Sequence, residues 1–143
     1  MKKSIYILPF LFFATSIAIA QLPSDYPFKT LVDNENNLLV TGFDFNNDLF
    51  VEKYHIGGGL LWHKFYVNSG EDRGMDLVSD SLTVVSTGYI YNSTFNNNDI
   101  ILINLNAETG NINWTKTFNS GRDEKAFGIV MDESKNIYVA GYT

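Results

Sequence analysis

The chain has 143 residues, 10 Lys and Arg against 16 Asp and Glu, a formal net charge of −6 and no cysteine. An acidic chain without basic clusters repels nucleic acid and anionic membrane surfaces, which are bound through Lys and Arg that displace counterions. The lack of cysteine excludes thiol catalysis, disulfide scaffolds and structural zinc, so stability must come from a packed core or from repetition.

Lys2 and Lys3 are followed by an apolar run, Ile5 to Ala20, which ends in Ala18-Ile19-Ala20 before Gln21. This reads as a secretory signal peptide over 1–20. The run has 16 residues, short of the roughly 20 that span a bilayer, and no basic flank follows it. Cleavage leaves 123 residues, with 8 basic against 16 acidic side chains and a net charge of −8. The expectation is a secreted protein, in the periplasm, at the cell surface or outside the cell, with no membrane insertion after cleavage.

After a short linker at 21–26, the sequence repeats. Asp48-Leu-Phe-Val51 reads against Asp99-Ile-Ile-Leu102, Trp62 against Trp114, and Ser69-Gly70-Glu-Asp72 against Ser120-Gly121-Arg-Asp123, at offsets of 51 or 52. Val40-Thr-Gly42, Ser86-Thr-Gly88 and Val139-Ala-Gly141 form a threefold series. A period near 50 in a strand-rich chain points to propeller blades. Short runs rich in Val, Ile, Leu, Phe and Tyr, bounded by Asn, Asp, Gly and Ser, predict strands at 27–33, 37–43, 48–55 and 60–66. A second set is predicted at 74–80, 82–90, 99–106 and 111–118, and a third begins with 126–132 and 136–143. The fold class expected is all-β: a partial β-propeller of about two and a half four-stranded antiparallel blades, at 27–66, 74–118 and 126–143. Asp33 to Asn37, Asp80-Ser81 and Asp132 to Asn136 supply hairpin turns, and Gly57 to Gly59 and Glu108 to Gly110 close the next hairpin of each unit.

Asp123 to Asp132 with Asn136 to Thr143, and the stretch Asp48 to Lys64, resemble the SBBP-type bacterial β-propeller repeat. Asn104 to Trp114 is similar to a degenerate tryptophan-docking motif of pyrroloquinoline-quinone-type propellers, with Thr109-Gly110 and Trp114 in place. That resemblance implies that Trp62 and Trp114 lie on outer strands and dock each blade against the next.

The remaining candidates read as structure. Asp72 with Asp123, and Asp80 with Asp132, recur once per unit, which favours turn or cap roles over acid–base chemistry. His55 and His63 flank one turn without further ligands. The Asn-rich runs at 46–48 and 96–99 lack the spacing of a calcium loop. No catalytic, cofactor-binding or metal residues are assigned, and no enzyme is expected. Asn92-Ser-Thr94 and Asn113-Trp-Thr115 match the glycosylation acceptor pattern. The function expected is a secreted scaffold for a protein or glycan partner, read as an N-terminal part of a longer propeller. The alternatives are the opening part of a quinone-dependent dehydrogenase and an envelope-assembly propeller.

Overall fold

The computed structural model describes residues 25–143, so the signal-peptide reading at 1–20 and most of the linker lie outside the described residues. Tyr26, the last linker residue, instead opens the first strand.

The described chain is all-β, with ten strands and no helix among the described residues. Sheet 1 comprises β1 (Tyr26–Val32), β2 (Leu38–Phe43), β3 (Leu49–Tyr54) and β4 (Leu60–Tyr66). Sheet 2 comprises β5 (Arg73–Ser79), β6 (Thr83–Asn92), β7 (Asn97–Asn106) and β8 (Ile112–Phe118). A third sheet pairs β9 (Lys125–Met131) with β10 (Ile137–Tyr142). Each four-stranded sheet runs in sequence order, and every pairing is antiparallel. The central hairpin of sheet 2 is longer than its sequence suggests. Asn97 and Asn98 pair with Asn92 and Tyr91, and the Asn92 side-chain amide donates to Asp99 across the same hairpin at 2.7 Å.

Local chemistry accounts for the turns. Asp33 Oδ1 accepts the amides of Glu35 and Asn37, Asp80 Oδ1 those of Leu82 and Thr83, and Asp132 Oδ1 that of Asn136. These three aspartates occupy the same place in successive units, each between the first two strands of its sheet. Asn36, Asn47, Asn96 and Lys135 adopt left-handed φ values of 54–68°, a region that asparagine tolerates better than most residues.

The first strand of each unit carries a bulge, at Phe28, Met75 and Phe127. Opposite each bulge sits one of the threefold glycines. A Cβ added to Gly42, Gly88 or Gly141 would collide with the carbonyl oxygen of Tyr26, Arg73 or Lys125. All three glycines serve one purpose, the close approach of two backbones.

The sheets stack face to face. Leu39, Leu49, Val51 and Trp62 of sheet 1 meet Leu77, Val84, Ile101, Ile103 and Leu105 of sheet 2 in one buried cluster. Thr41 Oγ1 and Ser86 Oγ lie 3.0 Å apart across this seam. β9 packs on β5, β6 and β7 to form the second seam, with Ala126 and Ile129 buried.

At one end of each seam, a cation from the following sheet lies over a ring of the preceding one. The Arg73 guanidinium sits 3.5 Å from the centroid of Phe43, and the Lys125 ammonium 4.5 Å from that of Tyr89. Tyr26 stacks on Phe43 at 4.7 Å. Such cation–ring contacts contribute about 0.5–2 kcal/mol, with the larger values where the cation is desolvated, and Arg73 is buried. A double-mutant cycle on Arg73→Met and Phe43→Leu, read from urea unfolding, should give a coupling of about 1–2 kcal/mol. Additive single effects would show that the stack contributes nothing.

Candidate functional site

The most constructed site is the seam between sheets 1 and 2. Trp62, on β4, is 8% exposed, and its Nε1 donates to the carbonyl oxygen of Ala107 at 3.2 Å. Its ring lies against Gly110, which turns the β7–β8 hairpin with φ +70°; a Cβ there would come within 2.6 Å of the indole. The turn therefore needs glycine twice over, for its left-handed backbone and for room for the ring. Lys53, paired with Trp62 across β3 and β4, donates to the same Ala107 carbonyl at 3.1 Å. Its ammonium also meets Asp33 Oδ2 at 2.9 Å and Glu35 Oε2 at 3.4 Å. Lys53 is 4% exposed, and a buried ammonium needs such partners. Burial would raise the Asp33 carboxyl, but Lys53 and the amides of Asn37 and Glu35 outweigh it and hold it below its ordinary value.

Trp114 occupies the matching position in sheet 2, paired with Asn104. It is half-buried, with the Lys116 ammonium 5.4 Å from its ring centroid. Asn104 stands where sheet 1 has Lys53, and it accepts the Asn113 side-chain amide at 2.7 Å.

The offset of 51 pairs Asp72 with Asp123, but backbone geometry pairs Asp72 with Glu124. The amide of Asp72 donates to the carbonyl of Asn47, and that of Glu124 to the carbonyl of Asn98. Both acids are fully buried at a seam, whereas Asp123 sits one position earlier and caps Asn98 through Oδ1. The two buried acids differ in electrostatics. Burial pushes the Asp72 carboxyl up to about 6; the Tyr91 amide opposes the rise and nearby Asp48 adds to it. Its Oδ2 has no hydrogen-bond partner. Glu124 accepts from the Ser120 hydroxyl and the Ser120 and Arg122 amides, which hold it below the usual range.

Two ion pairs join neighbouring sheets. On the first strands of their units, Lys29 meets Asp76 Oδ1 at 3.0 Å, and Asp76 Oδ2 accepts the Ile129 amide at 3.0 Å, so one carboxylate touches all three sheets. At the hairpin turns, Lys135 meets Asp80 Oδ2 at 3.0 Å. Although burial opposes it, the amides of Leu82 and Thr83 and Lys135 hold Asp80 down to about 2.

A cleft of about 310 Å³ opens beside Lys53, lined by Asp33, Glu35, Asp80, Ser81 and Glu108. Among the described residues no group of three or more His, Asp or Glu could hold a metal ion. His55 Nδ1 accepts the Gly57 amide within its own turn, and His63 meets the edge of Phe65. Both glycosylation-type asparagines have engaged amides: Asn92 donates to Asp99 and Asn113 to Asn104. No protein-family model and no curated protein matches the chain.

Sequence reasoning missed Lys53, Arg73, Glu124 and the pair of Lys29 with Asp76. Signals were present for two of these: a lysine inside an apolar strand, for Lys53, and a cation at the start of each following unit, for Arg73 with Lys125. Glu124 was hidden by the shift of one residue between the units. The pairing of Lys29 with Asp76 has no local signal, because it forms only when two sheets meet.

Trp62→Ala should cost about 3–5 kcal/mol in urea unfolding, as for other buried large-to-small changes, and Trp114→Ala clearly less; equal losses would contradict the difference in burial. The raised Asp72 carboxyl favours the protonated folded state, so its contribution is full below the ordinary value of 3.8 and is lost as pH rises through about 6. Asp80 acts oppositely, losing stability as pH falls from 3.8 towards 2. Thermal unfolding should therefore show a rise in stability from pH 7 to about 4.5 that Asp72→Asn reduces, with the raised carboxyls of Glu52, Asp48 and Asp25 supplying the remainder; an unchanged rise in the variant would contradict the assignment to Asp72.

Proposed function

We propose that this chain is part of a secreted β-propeller-type scaffold that binds a protein or glycan partner and carries no chemistry of its own. The single observation that carries the reading is the seam: a four-stranded unit recurs and stacks on its neighbour through Trp62, Ala107 and Gly110. Stacked repeats bury a continuous core that one unit alone cannot supply. Closure into a ring takes at least four blades, so two and a half units would form one sector of it. In such an architecture the strands are committed to packing, and the loops at the two ends are available to partners. A signal peptide over 1–20 would carry that binding outside the cytoplasm.

The experiment that tests the reading sets it against the quinone-dehydrogenase alternative. The purified protein, incubated with pyrroloquinoline quinone and Ca²⁺, should reduce no acceptor dye with alcohol or aldose substrates. Saturable, quinone-dependent dye reduction would overturn the scaffold reading.

A further inference from the structure

We propose that the end of the molecule carrying the β2–β3 and β6–β7 loops is a binding surface for a neutral polysaccharide, with Phe45 and Phe95 as its stacking platforms. This rests on the scaffold reading and names the partner class.

Phe45 lies in the loop between β2 and β3, and Phe95 in the loop between β6 and β7, one ring per four-stranded unit. The bonds from Asp72 and Arg73 to Asn47 in the β2–β3 loop, and from Glu124 to Asn98 at the start of β7, set these loops beside the starts of β5 and β9. The loops therefore share one end of the stack. Phe45 is 68% exposed and Phe95 59% exposed, so neither ring contributes much to the core. Their backbones are nonetheless held. Asp44 Oδ1 accepts the amides of Asn46 and Asp48, both at 2.9 Å, and Asn92 Oδ1 accepts that of Thr94 at 3.0 Å. A ring presented on an ordered loop loses little entropy when a ligand covers it.

The exposed apolar residues of the two ends differ in type. Tyr26, Phe28, Phe118 and Phe127 are exposed towards this same end, where Val67 is the aliphatic exception. At the other end Val32, Ile56, Leu82 and Ile112 are exposed, with Tyr138 the aromatic exception. A surface needing only apolar area has no use for rings over aliphatic chains. A surface that stacks on flat, C–H-rich sugar faces does. Asn46, Asn47 and Asn96 flank the rings; Asn46 Nδ2 donates to Asp44, while Asn47 and Asn96 accept from Arg73 and Tyr91 through Oδ1, so each amide is oriented by the fold and its other polar atom suits a sugar hydroxyl. The net charge of −6 disfavours acidic polymers, and one ring per unit matches a ligand that itself repeats.

Affinity electrophoresis of the full chain tests this, with hydroxyethylcellulose, arabinoxylan or galactomannan in the gel and dextran sulfate as the acidic control. At least one neutral polymer should retard the protein, and dextran sulfate should not. The double variant Phe45→Leu with Phe95→Leu should lose affinity by on the order of tenfold, while Phe45→Trp with Phe95→Trp retains it; unfolding midpoints of both should match the unaltered protein. The inference is overturned if no neutral polymer retards the chain. It is also overturned if the leucine variant binds as well as the unaltered protein, which would indicate generic apolar contact of the kind a protein partner makes. Either failure leaves the scaffold reading standing, because that reading falls only to quinone-dependent turnover.

Discussion

The indole of Trp62, seated on Gly110 and bonded to the Ala107 carbonyl, is the contact on which the stack depends. A sheet with an apolar face is unstable until that face is covered, and area alone leaves the covering sheet free to slide. Trp62 removes that freedom. Its ring needs a turn without a side chain, and its N–H needs an acceptor at one place. Lys53 points its ammonium at the same carbonyl from the neighbouring strand, so two donors fix one acceptor. Around this point the aliphatic side chains of both sheets close a continuous core.

The units repeat a physical arrangement more faithfully than they repeat residues. A cation over a ring is Arg73 on Phe43 at one seam and Lys125 on Tyr89 at the next. A buried acid whose amide meets the second hairpin of the preceding sheet is Asp72, bonded to Asn47, and then Glu124, bonded to Asn98. The polar partner of the fourth-strand tryptophan is Lys53 and then Asn104. Residue identity persists through all three units where local geometry admits little else: the glycine opposite each bulge, and the aspartate that folds each first hairpin. The consequence is a stack whose geometry is uniform while its electrostatics differ from seam to seam, as the opposite shifts of Asp72 and Glu124 show.

The same distinction separates what was legible in the sequence from what was not. Strands and hairpin turns were legible, since apolar runs punctuated by Asp, Asn and Gly depend on local chemistry. The glycine series was legible because its residue does not vary. Contacts between sheets were not, with the tryptophans a partial exception: their spacing marked both, yet only Trp62 is buried in a seam. The acid at the seam was misaligned because aspartate gives way to glutamate one residue later, and a fixed offset cannot follow that change. Phe45 and Phe95 stood in plain view, but their exposure at one end of the stack required the assembled sheets.

Native-state hydrogen exchange resolved by strand tests the central claim, that the first two sheets are held as one unit by their seam. A shared seam predicts that the slowest amides of β2 and β3 and those of β6 and β7 exchange with the same free energy and respond together to low denaturant. Two separate free energies, with one sheet opening while the other stays closed, would contradict it.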